Sequence, residues 1–265
     1  FGIKKRDRRR HMYVIGKTGM GKTSMLQHMI LQDIKRGEGV CLIDGNGKLA
    51  EQVLHYIPTD RIRDVIYFDP TDSNYPIGFN ILQDIGDESD ESMHRLVRIL
   101  EEAWSDVWGP RFEYVLKNTL TTLRYDKEMT LLHALPFFTD QKFHEECLSR
   151  IYDPMLLAFW ENEFVEGKER FMHHALEPLK EKVGHMVSNT TLRNIIGQPR
   201  SGFTFDAILK EKKIVLLPLN KNALGEEVVT LLGSAFIAKL LSAVNRHNRE
   251  EKEKEHDYYV YVDEF

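Results

Sequence analysis

One glycine-rich segment of the sequence has the residue types and the spacing of a phosphate-binding loop. Residues 16–23 fit the pattern G-x-x-x-x-G-K-S/T without a mismatch. Glycines let the backbone curl so that successive N–H groups point at a phosphate, and a following helix adds the positive end of its dipole. We expect a nucleoside triphosphate to bind here; a glycine-rich turn that binds nothing is the alternative. The predicted nucleotide-binding residues are Gly16, Lys17, Thr18, Gly19, Met20, Gly21, Lys22, Thr23 and Ser24.

Two side chains of this loop have further predicted roles. Lys22 is expected to reach the β- and γ-phosphates and to act in catalysis, and the Thr23 hydroxyl is expected to bind Mg²⁺. The predicted cofactors are therefore ATP and Mg²⁺.

An acidic pair at the other end of the sequence bears on hydrolysis. The apolar run 258–262 is followed directly by Asp263 and Glu264, and ligands of parallel sheets gather where the strands end. Asp263 is predicted to hold Mg²⁺, and Glu264 to orient and deprotonate the attacking water. An ordinary strand end with two solvated carboxylates is the alternative. Beside a phosphate-binding loop, the pair favours hydrolysis over binding alone.

Strand and helix patterns alternate around these motifs, which predicts a parallel sheet with helices on both faces. Strands are predicted at 11–15, 39–43, 64–68, 213–217 and 258–262, and helices at 23–35, 48–57 and 226–246.

A long helical stretch interrupts the alternation. We predict core segments at 1–83 and 206–265, with a mostly helical inserted domain at 84–205. Because Thr23 and Asp263 must meet around one Mg²⁺, the insertion is expected to leave and rejoin the sheet as a separate lobe. Its aromatic residues Trp104, Trp108 and Phe112 are predicted to form the core of that lobe rather than a base-stacking platform.

Composition places the chain among ordinary soluble proteins. Its 265 residues are 42% hydrophobic and 29% charged, which excludes collagen-like, low-complexity and wholly disordered chains. Cys41 and Cys147 have no metal-type spacing and are predicted to be buried free thiols of a reducing compartment. No run of about 18 apolar residues is present, so no membrane span is predicted.

Charge is distributed unevenly along the chain. The net charge is −5, yet residues 1–40 carry ten Lys and Arg against three acidic residues. Such a basic edge on an acidic body suits a polyanion at one face. The segment 4–11 has two open interpretations: contact with DNA phosphates or a neighbouring subunit, or a solvated start of the first strand. For Arg193 and Arg200 a structural role is favoured over a place at a subunit boundary.

Several stretches of the sequence resemble the HerA–FtsK superfamily of DNA-pumping ATPases, and within it the TraD/TraG-like coupling ATPases of type IV secretion. These stretches are RRRHMYVIGKTGMGKTSML, DVIYFDPTDSNYPIGFNIL, TTLRNIIGQP and YYVYVDEF. The resemblance implies an α/β fold, a RecA-like P-loop NTPase core with a parallel sheet and a helical insertion.

The resemblance also implies a function and partners. Such motors form hexameric rings around DNA, grip its backbone and move it by ATP hydrolysis. Secretion-channel or relaxosome proteins are expected as further partners. The expected location is the cytoplasm, at the inner face of the membrane through segments absent from this chain.

Two departures from the family pattern qualify these expectations. The family continues past the acidic pair with a γ-phosphate-sensing glutamine and an arginine finger, so we predict a C-terminally truncated chain with incomplete catalytic machinery. Many relatives have Asp-Pro-His-Gly-Asp after the second strand, where this chain has Asp-Gly-Asn-Gly-Lys at 44–48. Asp44 stays a candidate near the metal or the attacking water, and Lys48 replaces an acid.

Three functions remain open from the sequence. The first and favoured one is a DNA-translocating ATPase. The second is a secretion or assembly ATPase of related fold that acts on protein, and the third is an interaction module that binds nucleotide without turnover.

Overall fold

A four-stranded parallel sheet organises the computed structural model, which describes residues 3–83, 90–167, 171–250 and 257–264. The spatial order of the strands is β2-β3-β1-β4. Their bounds are β1 Gly39–Asp44, β2 Val65–Tyr67, β3 Ile214–Pro218 and β4 Tyr258–Asp263. Every residue of β1 and β3 is buried, as expected for parallel strands covered by helices on both faces.

The strand register brings distant parts of the chain to one edge of the sheet. Asp44, the last residue of β1, lies beside Asp263 on β4 and beside Pro218 on β3. Because all strands are parallel, the segments that follow these three residues emerge at the same edge.

Three helices precede or separate the first strands. They are α1 Lys5–Arg8, α2 Lys22–Lys35 and α3 Lys48–His55, and a 3₁₀ turn at Thr59–Asp64 leads into β2. Helix α2 begins after Gly21 and α3 after Gly47, both in the left-handed region that glycine adopts without strain. Ile30 and Ile34 of α2 and Val53 of α3 pack in one apolar cluster against β1 and β3.

The stretch between β2 and β3 is helical, as predicted. Its helices are α4 Asp90–Ala103, α5 Pro110–Leu123, α6 Ala134–Thr139, α7 Gln141–Leu148, α8 Pro154–Ala158, α9 Phe164–Glu166, α10 Glu177–Ser188, α11 Thr190–Ile196 and α12 Phe205–Lys210. A 3₁₀ turn at Leu131–His133 and π-helical turns at Phe159–Glu163 and Met172–Leu176 complete it. Helices α13 Lys221–Leu224 and α14 Glu226–Glu250 connect β3 to β4.

A single apolar cluster extends from the sheet into these helices. It contains Cys41 and Ile43 of β1, Phe68 after β2, and Trp104 and Trp160 in the helical stretch. Trp104 and Phe112 are buried and meet edge to face, and Trp108 packs against the same cluster. The prediction that these aromatic residues form core is confirmed, and both cysteines are free and buried.

Asn80 joins the beginning and the end of the helical stretch. Its amide donates to the carbonyl oxygens of Met129 (2.9 Å) and Pro199 (2.8 Å), and its side-chain oxygen accepts from the N–H of Leu82. Its own N–H donates to Ser201 Oγ. The proposed division at 84 and 205 stays a prediction, and residue 84 lies outside the described residues.

One prediction about the fold was wrong. Residues 11–15 were expected to form a strand, but none of the four described strands pairs with them. Without a neighbouring strand to satisfy its backbone groups, an apolar run does not become part of a sheet, and Tyr13 and Ile15 are 89% and 82% exposed.

The longest helix is strongly apolar. Residues Glu226–His247 of α14 are long and apolar enough to cross a membrane by length and composition. This is weak support for a membrane span, because core helices of soluble proteins pass the same test. Val229, Leu232 and Phe236 of this helix are buried in the apolar cluster.

Candidate nucleotide site

The predicted phosphate-binding loop lies exposed at the start of α2. Gly19 and Gly21 have φ angles of 82° and 84°, and apart from their chain neighbours no residue comes within 4 Å of where their Cβ would be. Lys22 Nζ donates to the carbonyl oxygens of Gly16 (2.7 Å) and Lys17 (3.3 Å), so its side chain folds back over the loop. The loop therefore has the left-handed turns and the inward-facing cation that phosphate binding requires.

Helix α2 and strand β4 bring the two predicted Mg²⁺ ligands together. The hydroxyl of Thr23, in the first turn of α2, lies close enough to the Asp263 carboxylate to lower the pKa of Asp263. Asp263 is the last residue of β4 and is only 8% exposed. The loop and the acidic pair, predicted separately from opposite ends of the chain, therefore lie at one place.

The surroundings of Asp263 disfavour its negative charge. Burial raises the pKa of Asp263 above 3.8, the carboxylates of Asp44 and Glu264 raise it further, and Thr23 and Lys22 partly oppose this shift. A bound cation would offset both burial and repulsion, so these residues fit a metal ion. Among the described residues no three His, Cys, Asp or Glu side chains form a metal cluster.

Glu264 follows Asp263 in a strained backbone conformation. Its φ is 51°, a region that residues other than glycine rarely occupy. The side-chain amide of Asn46 donates a hydrogen bond to Glu264 Oε2. The backbone of Glu264 also touches the loop after β1, where a Cβ on Gly45 would lie 2.2 Å from the Glu264 carbonyl oxygen.

Asp44 is close to the site but its carboxylate has structural partners. Its two oxygens accept from the N–H of Asn46 (3.0 Å) and of Ala50 in α3 (2.9 Å). Asp44 therefore fixes the turn after β1 and the start of α3. Its proximity contributes to the raised pKa of Asp263.

Sequence reasoning missed Asn46. The motif comparison singled out Asp44 and Lys48 in this loop, whereas the side chain that contacts Glu264 lies between them. The sequence points to Asn46 only through its local context, an asparagine between two glycines after a strand that ends in aspartate.

Two arginines of the basic segment before the loop form ion pairs. Arg8 donates to both carboxylate oxygens of Asp33 at 2.6 Å and to the hydroxyl of Tyr261 at 2.7 Å. Arg9 pairs with Asp257 at 3.0 Å. Arg8 thus ties the segment to α2 and β4, which corrects the interpretation of it as a merely solvated start.

The two arginines near the end of the helical stretch make short-range contacts. Arg193 donates to the carbonyl oxygen of Val187 at 3.3 Å, and Arg200 pairs with Glu128 at 3.1 Å while largely exposed. The structure does not bring either arginine to Lys22 or Asp263, so their assignment stays a prediction.

Comparisons with known proteins agree with this fold. The parallel sheet, the loop and the helical stretch define an α/β protein of the class expected from the sequence. A family model described as the type IV secretion-system coupling protein DNA-binding domain matches residues 2–149. Because the match spans more than half of the chain, the chain belongs to this family.

A solved structure shares the fold over almost the whole chain. It is the bacterial conjugative coupling protein TrwBdeltaN70 in an unbound monoclinic form, with a TM-score of 0.55 and 15% sequence identity. The alignment covers 93% of this chain and 53% of the solved one, so this chain spans about half of its length. No curated protein sequence matches the chain.

Proposed function

We propose that the protein hydrolyses ATP at the site formed by residues 16–24, Asp263 and Glu264. The observation that carries the proposal is the juxtaposition of Thr23 with the buried Asp263 carboxylate, beside the inward-folded Lys22. These residues are the parts that an ATP and Mg²⁺ site needs, and the family match supports a coupling-protein domain rather than an unrelated fold.

Each side chain has a proposed role. The backbone N–H groups of 16–22 hold the phosphates, and Lys22 exchanges its carbonyl partners for phosphate oxygens. Thr23 and Asp263 hold Mg²⁺, which supplies positive charge to the phosphate oxygens when bound. Glu264 orients and deprotonates the attacking water. Asp44 fixes the turn beside them.

The further proposal is that hydrolysis drives DNA movement in conjugation or type IV secretion. It is supported by the family description, which names a DNA-binding domain, and by the fold shared with a conjugative coupling protein. The proposed partners are DNA through its phosphates, other copies of the chain in a hexameric ring, and secretion-channel or relaxosome proteins. The proposed location is cytoplasmic, at the membrane.

ATP turnover by the full-length protein tests this proposal. We expect DNA to raise the rate at low salt, the effect to fall as salt rises because phosphate contacts are screened, and Lys22→Ala and Glu264→Gln to lack turnover. Turnover that ignores single- and double-stranded DNA would instead support an ATPase acting on protein. An unchanged rate in Glu264→Gln would remove the proposed role of Glu264, and no turnover in wild type would support a nucleotide-binding module.

A further inference from the structure

We propose that Asn46 is a positioning residue that holds the carboxylate of Glu264 in place for its reaction with water. The inference rests on the proposed function, because it concerns the group assigned there as the general base. Its starting point is the hydrogen bond from the Asn46 side-chain amide to Glu264 Oε2, which joins residues 218 positions apart.

The loop that carries Asn46 is fixed at its base. Asp44 Oδ1 accepts the N–H of Asn46, and Asp44 Oδ2 accepts the N–H of Ala50 at the start of α3. The carbonyl oxygen of Asp44 accepts from Leu219 at 2.7 Å, after β3. Two neighbouring elements therefore set the position of Asn46 before any ligand is involved.

The same loop also contacts the backbone around Glu264. The N–H of Gly45 donates to the carbonyl oxygen of Asp263 at 2.9 Å. A Cβ at Gly45 would lie 2.2 Å from the Glu264 carbonyl oxygen, so this approach requires glycine. The end of β4 and the loop after β1 are thus fitted to each other at backbone level.

The backbone and side-chain conformation of Glu264 depends on these contacts. Its φ of 51° is strained for a residue with a side chain, and strained residues persist where their surroundings over-determine them. Its side chain is exposed, so without a partner its carboxylate would sample several rotamers. The Asn46 amide restricts one carboxylate oxygen and leaves the other free to accept a proton from water.

A general base works only when it is within hydrogen-bond reach of the water it activates. Among the residues that the structure describes, no hydrogen bond joins Asn46 to the phosphate-binding loop, so its effect is predicted to pass through Glu264. Its loss should therefore lower the rate of hydrolysis and leave nucleotide binding unchanged.

The test measures kcat, KM and nucleotide affinity in the full-length protein for wild type, Asn46→Ala and Asn46→Gln. We expect Asn46→Ala to lower kcat about tenfold, a part of the roughly 10²–10⁴-fold that a positioned base supplies. The Kd of a fluorescent ATP analogue should stay within about twofold. Asn46→Gln, which keeps an amide donor, should recover part of the lost rate. Asn74→Ala, the same change on an exposed loop, is the matched control.

Amide hydrogen exchange gives a readout independent of turnover. Releasing Glu264 from Asn46 should speed exchange in the peptide that covers 258–264, with the helical stretch unchanged. A kcat equal to or above wild type in Asn46→Ala, or a Kd that weakens in step with the rate, would overturn the inference.

The outcomes separate this inference from the proposed function. If Glu264→Gln is inactive while Asn46→Ala matches wild type, the positioning role fails and the proposed function stands. If wild type and Glu264→Gln turn over ATP equally, or neither turns it over, the proposed function fails and the role of Asn46 fails with it.

Discussion

Both terminal nitrogens of the Arg8 guanidinium donate hydrogen bonds to the carboxylate oxygens of Asp33, each at 2.6 Å. Asp33 lies in α2. The Tyr261 hydroxyl on β4 accepts a hydrogen bond from Arg8 and donates one to Asp33. The Arg8 and Asp33 side chains are 10% and 1% exposed. The C-terminal part of the helix that starts at Lys22 is therefore joined to the strand that ends at Asp263.

Removing one partner of this buried ion pair should strongly lower the free energy of unfolding. We expect Arg8→Met to lower the free energy of unfolding by about 3 kcal/mol, because it leaves the Asp33 carboxylate buried without its main partner. The double variant Arg8→Met with Asp33→Leu should be more stable than Arg8→Met alone. Urea denaturation measures both, and a double variant at least as unstable as the sum of the single changes would contradict the role of charge.

Replacing Asn80 should also strongly lower the free energy of unfolding. Asn80→Ala leaves the carbonyl oxygens of Met129 and Pro199 and the N–H of Leu82 without their partner. Since unsatisfied buried groups cost about 1–3 kcal/mol each, we expect a loss of about 3 kcal/mol in thermal or chemical denaturation. Asn118→Ala removes only an exposed bond within α5 and is the control, expected to change stability by less than about 1 kcal/mol. Equal effects of the two would contradict the joining role of Asn80.

The contribution of Asp263 to stability should depend on pH. Its pKa is raised in the folded chain, so its protonated form favours folding below the unfolded-state pKa, and that stability is lost as pH rises through the folded-state pKa. Asp263→Asn should therefore raise Tm at pH 7 without Mg²⁺, and this gain should shrink as pH falls through the raised folded-state pKa of Asp263 towards 3.8. Asp60→Asn, at the exposed start of a 3₁₀ turn, is the control. A lower Tm for Asp263→Asn at pH 7 would contradict the electrostatic account.

Lys22 should dominate affinity for the triphosphate. Loss of a charged hydrogen-bond donor costs about 1.5–3 kcal/mol, so Lys22→Ala should weaken binding of a fluorescent ATP analogue about 10- to 150-fold. Lys17→Ala, a lysine at a position where the loop pattern accepts any side chain, should bind within about threefold of wild type. Equal losses in both variants would point to general electrostatic attraction instead of a specific role for Lys22.

Much of the fold could be predicted because local patterns determine it. The strands at 39–43, 64–68, 213–217 and 258–262 are confirmed to within one residue at each end, since continuous apolar runs of this length suit buried parallel strands. The loop pattern and the acidic pair identified the residues that meet between α2 and β4. The sequence-based prediction at 11–15 was wrong because a strand also needs a neighbour, which local patterning does not reveal.

The contacts that sequence reasoning missed depend on tertiary position. Arg8 and Tyr261, and likewise Asn46 and Glu264, are more than 200 residues apart and meet only through the sheet register. Arginine side chains are usually exposed, so nothing local indicates that Arg8 pairs with Asp33.

The most direct test of a DNA motor is ATP-dependent displacement of the third strand from a DNA triplex by the full-length protein. The account predicts displacement that requires ATP and Mg²⁺, that is lost in Lys22→Ala, and that falls in parallel with ATP turnover in Asn46→Ala. DNA-stimulated hydrolysis with no displacement from either end of the duplex would contradict translocation.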